Sequence, residues 1–165
     1  IQYLYSPYGE LILGSHDEKL CLCDWRYRNM RDSIDSRITN GLKAEYLEKS
    51  DNLLEEARRQ LDEYFNHHRK IFDVPLLMVG SEFQKRIWKR LLEIPFGETL
   101  SYRQLAEDVD NKNAVRAAAR ANGANAISIF IPCHRVIGNN GKLVGYAGGL
   151  KAKASLLSLE FDLFN

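Results

Sequence analysis

Ser101-Tyr102-Arg103-Gln104-Leu105-Ala106-Glu107-Asp108-Val109-Asp110-Asn111-Lys112-Asn113-Ala114-Val115-Arg116-Ala117-Ala118-Ala119-Arg120-Ala121-Asn122-Gly123 is the stretch from which the architecture of this 165-residue chain is read. Ser101 and Gln104 sit three apart, the spacing at which side chains satisfy each other's exposed backbone donors at a helix start. After the polar turn Asp110-Asn111-Lys112-Asn113, a second helix is expected, with Asn113 as its N-cap and Gly123 as its left-handed stop. Helix, four-residue turn, helix is the outline of a helix-turn-helix. Five of the nine residues from Ala114 to Asn122 are Ala, so this helix presents little bulk. It can approach a narrow groove closely, with Arg116 and Arg120 one turn apart on a shared face. A buried helix packed tightly on a neighbour would use alanine equally well, and the segment alone leaves both readings open.

Upstream, Ser81-Glu82-Phe83-Gln84 is a capping box that opens a helix whose stripe is Phe83, Ile87, Trp88, Leu91 and Leu92, and Pro95-Phe96-Gly97 ends it. Downstream, the glycine-rich run from Gly138 to Gly149 predicts a hairpin or wing-like loop before a last helix over about 150–159. The first 25 residues alternate as β structure at Tyr3-Leu4-Tyr5, Leu11-Ile12-Leu13 and Leu20-Cys21-Leu22-Cys23, broken by Ser6-Pro7-Tyr8-Gly9 and His16-Asp17-Glu18. That pattern predicts an antiparallel meander. Residues 26–50 are polar with little periodicity and read mostly as loop. From Asp51 the period becomes helical, with Leu53, Leu54, Ala57, Leu61, Tyr64 and Phe65 on one side, until His67-His68. An apolar run from Val74 to Val79 then leads to Gly80. The expected class is α+β, with an N-terminal antiparallel sheet and helix over 1–79 and a C-terminal winged helix-turn-helix domain over 80–165.

Composition agrees. With 45% apolar and 27% charged residues, the chain is expected to be globular, with room for one domain or two small ones. It has no apolar run of the roughly 18–20 residues that span a bilayer, and Ile1-Gln2-Tyr3-Leu4-Tyr5 lacks the layout of a signal peptide. The expectation is a soluble protein without a membrane partner, cytoplasmic if bacterial and nuclear if eukaryotic. Three cysteines are an odd number and too few for a disulfide scaffold, so at least one thiol is free. The net charge of +1 hides an asymmetry: residues 1–80 carry 11 Lys+Arg against 14 Asp+Glu, and residues 81–165 carry 12 against 8. A basic half suits a phosphate-rich partner, although a solvated basic face gives the same balance.

The sharper chemical signal is Ile129-Phe130-Ile131-Pro132-Cys133-His134-Arg135-Val136-Ile137, a β-like run interrupted by a polar cluster. Pro132 fixes its own φ and donates no backbone hydrogen, so the strand is expected to turn there and display Cys133 at its end. A thiol with an ordinary pKa of about 8.5 needs a cationic or basic partner to act as a nucleophile near neutrality. His134 and Arg135 are adjacent, but side chains of neighbouring extended residues point to opposite faces, so direct contact is awkward and a bridging water is one way to link them. An acid orienting the imidazole would complete the arrangement. The alternative is a buried structural cysteine beside a surface histidine.

The Pro132-Cys133-His134-Arg135-Val136 core, preceded by Asn125 and followed by Gly145-Tyr146-Ala147-Gly148-Gly149, resembles the O6-alkylguanine-DNA alkyltransferases, also called methylated-DNA–protein-cysteine methyltransferases. The match spans about 81–160 and, more weakly, the N-terminal meander. The resemblance implies a monomer that binds double-stranded DNA, flips out O6-alkylguanine and moves the alkyl group irreversibly to one cysteine in a single turnover. O4-alkylthymine is a further candidate lesion. It implies Cys133 as acceptor, His134 as water-mediated base, Glu160 as the carboxylate orienting it, and Tyr102 as the tyrosine that promotes base rotation and offers its hydroxyl to guanine N3. Arg116 resembles the arginine that enters the vacated stack, with Ala117 and Arg120 on the same DNA-facing helix. Asn125 matches the hinge asparagine, while Val136, Tyr146 and Ala147 line the pocket. Ala126 and Ser128 depart from the prolines that many members carry there. Non-catalytic lesion-binding relatives lack the cysteine, and a transcriptional sensor would need a further module. No cofactor or metal is expected. Some mammalian relatives bind zinc, but Cys21 and Cys23, two apart on one strand face, read as buried, and His67-His68 read as solvent-facing helix-end residues.

Overall fold

In the computed structural model, residues 1–162 are described. The meander forms as β1 (Gln2–Ser6), β2 (Gly9–His16) and β3 (Lys19–Trp25), paired antiparallel in sequence order. The β2–β3 loop is two residues long, and both Asp17 and Glu18 take positive φ, the geometry whose twist matches a tight hairpin. The free edge of β3 is covered from two directions. Leu20 exchanges bonds with Pro75 and Leu77, and Cys23 with Ala126 and Ser128, at 2.7–2.8 Å. The apolar run at 74–79 and the segment before the Pro132-Cys133 turn thus dock on the same strand.

Opposite Gly14 and Ser15 the β2–β3 register slips, leaving Cys21 as the extra residue of a bulge. Alternation is broken there. Cys21 packs with Ile12, Leu22 and Ile34, while Cys23 lies in the main core. The expectation that the two cysteines share a strand face is therefore corrected, although both are buried.

Residues 26–50 are not mostly loop, because α1 occupies Arg31–Leu42. The signal was weak for physical reasons: Met30 enters with φ 67° and makes no side-chain cap, and only Ile34 and Ile38 are buried. Burying two such side chains contributes on the order of 1.5–3 kcal/mol each, and an Arg31–Asp35 pair at 2.8 Å braces the first turns. Helix α2 (Asn52–Phe65) begins where the sequence places it, with the Asp51 side chain accepting from the Leu54 N–H. It buries Leu54, Ala57, Gln60, Leu61 and Tyr64. His67 and His68 beyond it are exposed.

In the second half, α3 (Glu82–Leu91) has the full capping box, with Ile87, Trp88 and Leu91 buried. Leu92 falls just past the helix and is 44% exposed, outside the expected stripe. A short β4 (Leu100–Ser101) runs into α4 (Tyr102–Val109), where Ser101 caps Gln104 N–H but the Gln104 amide turns to Asp108. Two expectations for the next helix are corrected. Asn111 caps a 3₁₀ turn over Lys112–Ala114, so α5 (Val115–Gly123) starts from Ala114 with no side-chain cap rather than from Asn113. Gly123 is its last helical residue and Ala124 continues in right-handed geometry, because the carbonyls at this end find other partners, described below. Strand β5 (Val136–Ile137) pairs parallel with β4, and the following glycine-rich run closes as a turn through Gly138 N–H to Lys142 O at 2.8 Å. Among the described residues that run forms no strand ladder, so the wing is a loop. The last helix, α6, spans Leu150–Asp162. One core joins both halves: Leu11, Leu13, Leu61 and Tyr64 pack into the same cluster as Trp88, Ile131 and Leu156. No helix among the described residues is long and apolar enough to cross a membrane.

Candidate active site and nucleic-acid interface

One amide organises the segment that carries the thiol. Asn125, buried, donates from Nδ2 to Ile131 O at 2.9 Å and accepts at Oδ1 from Ile127 N–H at 3.0 Å, pinning the loop between them at both ends. Within that loop Ile129 has φ 74°, and Phe130 N–H bonds back to Ser128 O at 2.9 Å, a γ-turn on a β-branched residue. Such a conformation costs on the order of 1–3 kcal/mol and persists only where the surroundings over-determine it.

The chain does turn at Pro132, but into a 3₁₀ turn over Cys133–Arg135 rather than at the open end of a strand. Cys133 is 3% exposed, so the thiol is enclosed and not displayed. Burial pushes its pKa up, opposed by Asn125, raised further by Asp24 and opposed again by Lys153 and Ser128. At rest the group is a thiol, and a base must take its proton.

The 3₁₀ turn sends the next two side chains to one acid. His134 Nε2 lies 2.5 Å from Glu160 Oε2, and Arg135 donates to Glu160 from Nε at 2.8 Å and Nη2 at 3.2 Å. Gly97 N–H and Tyr64 Oη add bonds of 3.1 and 2.6 Å. Burial pushes the Glu160 carboxyl up, but His134 and Arg135 outweigh it and hold the pKa at about 2. His134 is pushed down by burial, against the pull of Glu160. Its Nδ1 is buried and, among the described residues, has no hydrogen-bond partner. A lone pair on that nitrogen is available to a water or a thiol proton.

The glycine-rich run is tied down through its carbonyls by Tyr102 and Lys153. Lys153, fully buried, donates to Val144 O and Gly145 O at 3.2 and 3.1 Å and lies 5.6 Å from the centre of the Tyr102 ring. Burial pushes Lys153 down to about 8. Tyr102 Oη donates to Val144 O at 3.0 Å, and burial, reinforced by Cys133, raises the phenol to about 12. Tyr146 packs edge-on against Trp25 at 5.8 Å, and both Tyr146 Oη and Trp25 Nε1 are buried with no partner among the described residues. Gly148 is forced by the same indole, since a Cβ there would come within 2.5 Å of the ring. Ala147 in the same run is half-buried, and Val136 is buried.

Helix α5 has two faces, which reconciles the two readings of its alanines. Ala118, Ala121 and Asn122 are buried against the core, while Arg116, Ala117 and Arg120 are exposed on the other side. Its C-terminal end is held from the N-terminal half: Arg28 Nη2 donates to Gly123 O at 2.6 Å and Arg37 Nη2 to Ala124 O at 2.8 Å. Cations at helix C-termini are favourable. The buried Asp24 carboxylate balances them through Arg28 and Arg31 at 3.3 and 3.0 Å. Tyr64, Lys153, Asp24, Arg28 and Arg37 were not singled out from sequence as site residues. Tyr64 stood in a helical stripe and read as core, and the others carry no local pattern. Among the described residues, no group of three or more His, Cys, Asp or Glu is arranged to hold a metal.

A sheet-and-helix half holds the end of an Ala-rich helix, and the other half buries a cysteine next to a His134–Glu160 pair, an arrangement that suits a cysteine-dependent transferase with a helical face turned to its partner. Residues 82–161 match the family model described as "6-O-methylguanine DNA methyltransferase, DNA binding domain", and residues 1–78 match "6-O-methylguanine DNA methyltransferase, ribonuclease-like domain". The chain belongs to the 6-O-methylguanine DNA methyltransferase family. It is 42% identical over 156 residues to the methylated-DNA–protein-cysteine methyltransferase of Methanosarcina acetivorans, covering 94% of each chain. To the protein of the same name from Mycobacterium leprae it is 43% identical over 158 residues, 94% of this chain and 88% of that one. Among solved structures, it is similar to Mycobacterium tuberculosis OGT in complex with DNA, with TM-score 0.84, 38% identity, and coverage of 98% of this chain and 92% of that one.

Proposed function

We propose that this protein repairs double-stranded DNA by moving the alkyl group of an O6-alkylguanine irreversibly to Cys133, once per molecule. The observation that carries this reading is a buried Cys133 followed directly by His134, whose Nε2 is bound to the Glu160 carboxylate and whose Nδ1 is left bare. The thiol proton passes through a bridging water to Nδ1. The thiolate then attacks the alkyl carbon in line, the S–C bond forms as the C–O6 bond breaks, and the purine leaves with the electron pair. Tyr102 Oη, exchanging its bond to Val144 O for one to guanine N3, donates a proton as charge develops there and regains one from His134 through solvent.

The remaining roles follow the same substrate. Arg116 fills the stack vacated by the flipped base, and Ala117 and Arg120 lie against the minor groove. Asn125 acts as the hinge that keeps the loop of Cys133 rigid. The carbonyls of Cys133 and Val136 accept from the exocyclic amine, while Tyr146 and the Ala147 backbone face the guanine oxygen. O4-alkylthymine, which presents an alkyl oxygen at a comparable edge, is a second substrate. The working unit is a monomer without cofactor, divided into 1–79 and 80–165, and it acts where its DNA is, in the cytoplasm of a bacterial-type cell.

Incubation with O6-benzylguanine, followed by peptide mass spectrometry, tests the reading. A benzyl adduct on Cys133, absent from Cys133→Ala, is expected. A folded protein that binds alkylated duplex yet carries no adduct would identify a lesion-binding protein instead.

A further inference from the structure

Glu160 accepts five hydrogen bonds, and one of them comes from the other half of the molecule. Oε1 takes Arg135 Nε and Gly97 N–H, while Oε2 takes His134 Nε2, Arg135 Nη2 and Tyr64 Oη. Tyr64 stands in the last turn of α2, fully buried, its ring wedged among Phe65, Phe72 and Phe96. We infer that Tyr64 is a positioning residue of alkyl transfer: its hydroxyl, 2.6 Å from Glu160 Oε2, fixes the carboxylate as an acceptor and thereby fixes which nitrogen of His134 carries the proton. The inference rests on the reading of His134 as the base.

The donor count supplies the logic. Arg135 and the Gly97 amide can only donate. Burial, with Glu160 adding to it, holds the Tyr64 phenol well above its ordinary range, so it too remains an O–H donor. An acid surrounded by four such donors is a carboxylate, and the fifth partner, His134 Nε2, must then carry a hydrogen. The neutral imidazole is left with its lone pair on Nδ1, the nitrogen without a partner among the described residues. The groups that face this imidazole and set its titration are Glu160 and Lys153 of α6 and Arg135 of its own turn, with Tyr64 of α2 acting through Glu160. Residues 1–78 therefore contribute to orienting the base as well as to the scaffold.

Tyr64→Phe tests this in the full-length protein, because it removes one hydroxyl and keeps the ring. A carboxylate with one donor fewer is more basic and stabilises the imidazolium. The pH midpoint below which single-turnover transfer from an O6-methylguanine duplex fails is expected to rise by about half a unit or more, with a plateau rate lower by roughly fivefold. Phe72→Leu thins the same aromatic cluster without touching the donors of Glu160 and is expected to leave the midpoint in place. Should Tyr64→Phe not fold, 3-fluorotyrosine installed at position 64 makes the phenol a stronger donor and is expected to lower the midpoint. A wild-type midpoint in folded Tyr64→Phe, or an unmoved midpoint with 3-fluorotyrosine, overturns the inference. If wild-type protein transfers no methyl group to Cys133, the underlying reading of the site fails, whatever Tyr64 does.

Discussion

At the scale of single residues, the site concentrates its cost and its reward on Glu160. The carboxyl is buried, which alone would keep it protonated, and its partners invert that preference to a pKa of about 2. A folded-state pKa depressed from the ordinary value of 4.5 contributes stability that is present above about pH 4.5 and lost as pH falls towards 2. Linkage over that shift makes the loss between pH 5.5 and 3 about 2 kcal/mol for this group alone. Glu160→Gln is expected to be less stable near neutrality, because Arg135 loses its buried counter-charge, yet to lose about 2 kcal/mol less on acidification. Urea unfolding of both proteins at pH 5.5 and pH 3 measures it; parallel losses would refute the assignment. The family resemblance pointed to Cys133, His134 and Glu160, and the structure adds why His134 and Arg135 meet at Glu160: a 3₁₀ turn, unreadable from an apolar β-like run, aims consecutive side chains at one acid.

At the scale of elements, α5 shows how a helix with two faces is exposed on one side without being loose. Its buried alanines pack on the core, and Arg28 and Arg37 take the carbonyls at its end. Arg116 is exposed on the opposite face. Arg116→Ala is therefore expected to leave stability within about 0.5 kcal/mol, as for a surface site, while slowing repair in duplex roughly tenfold or more. Reaction with free O6-benzylguanine should change little, since no base needs to be flipped. Equal slowing of both reactions would remove the flipping role. Elements were legible wherever local chemistry set them: Ser81 with Gln84, Asp51 before α2, and the alternating strands were all readable. Helix α1 was not, because its start has no capping side chain and its buried stripe is a single pair, Ile34 and Ile38. The stop of α5 was misread because its carbonyls are satisfied by arginines far away in sequence rather than by a left-handed glycine. Such long-range partners leave no mark in local spacing.

At the scale of the whole molecule, the division near Gly80 does not divide the core. Leu13, Leu61 and Tyr64 pack in the same cluster as Trp88, Leu105 and Ile131, and β3 hydrogen-bonds directly to Ala126 and Ser128. Asp24, Arg28 and Arg37 tie the two halves again at the end of α5. Shared burial on this scale makes separate unfolding of either half expensive, because each would expose apolar surface at about 25 cal/mol per Å² on both sides of the seam. The chain holds two tryptophans, one in each half, Trp25 at the end of β3 and Trp88 in α3, and both are buried. Trp25→Phe and Trp88→Phe therefore provide proteins whose fluorescence reports the second and the first half respectively. In each variant, urea unfolding followed by fluorescence is expected to coincide with unfolding followed by far-ultraviolet circular dichroism, in one transition with one slope. A half that melted first would separate the two curves in at least one variant, and the hydrogen bond from Tyr64 Oη to Glu160 would then be broken before the C-terminal half unfolds.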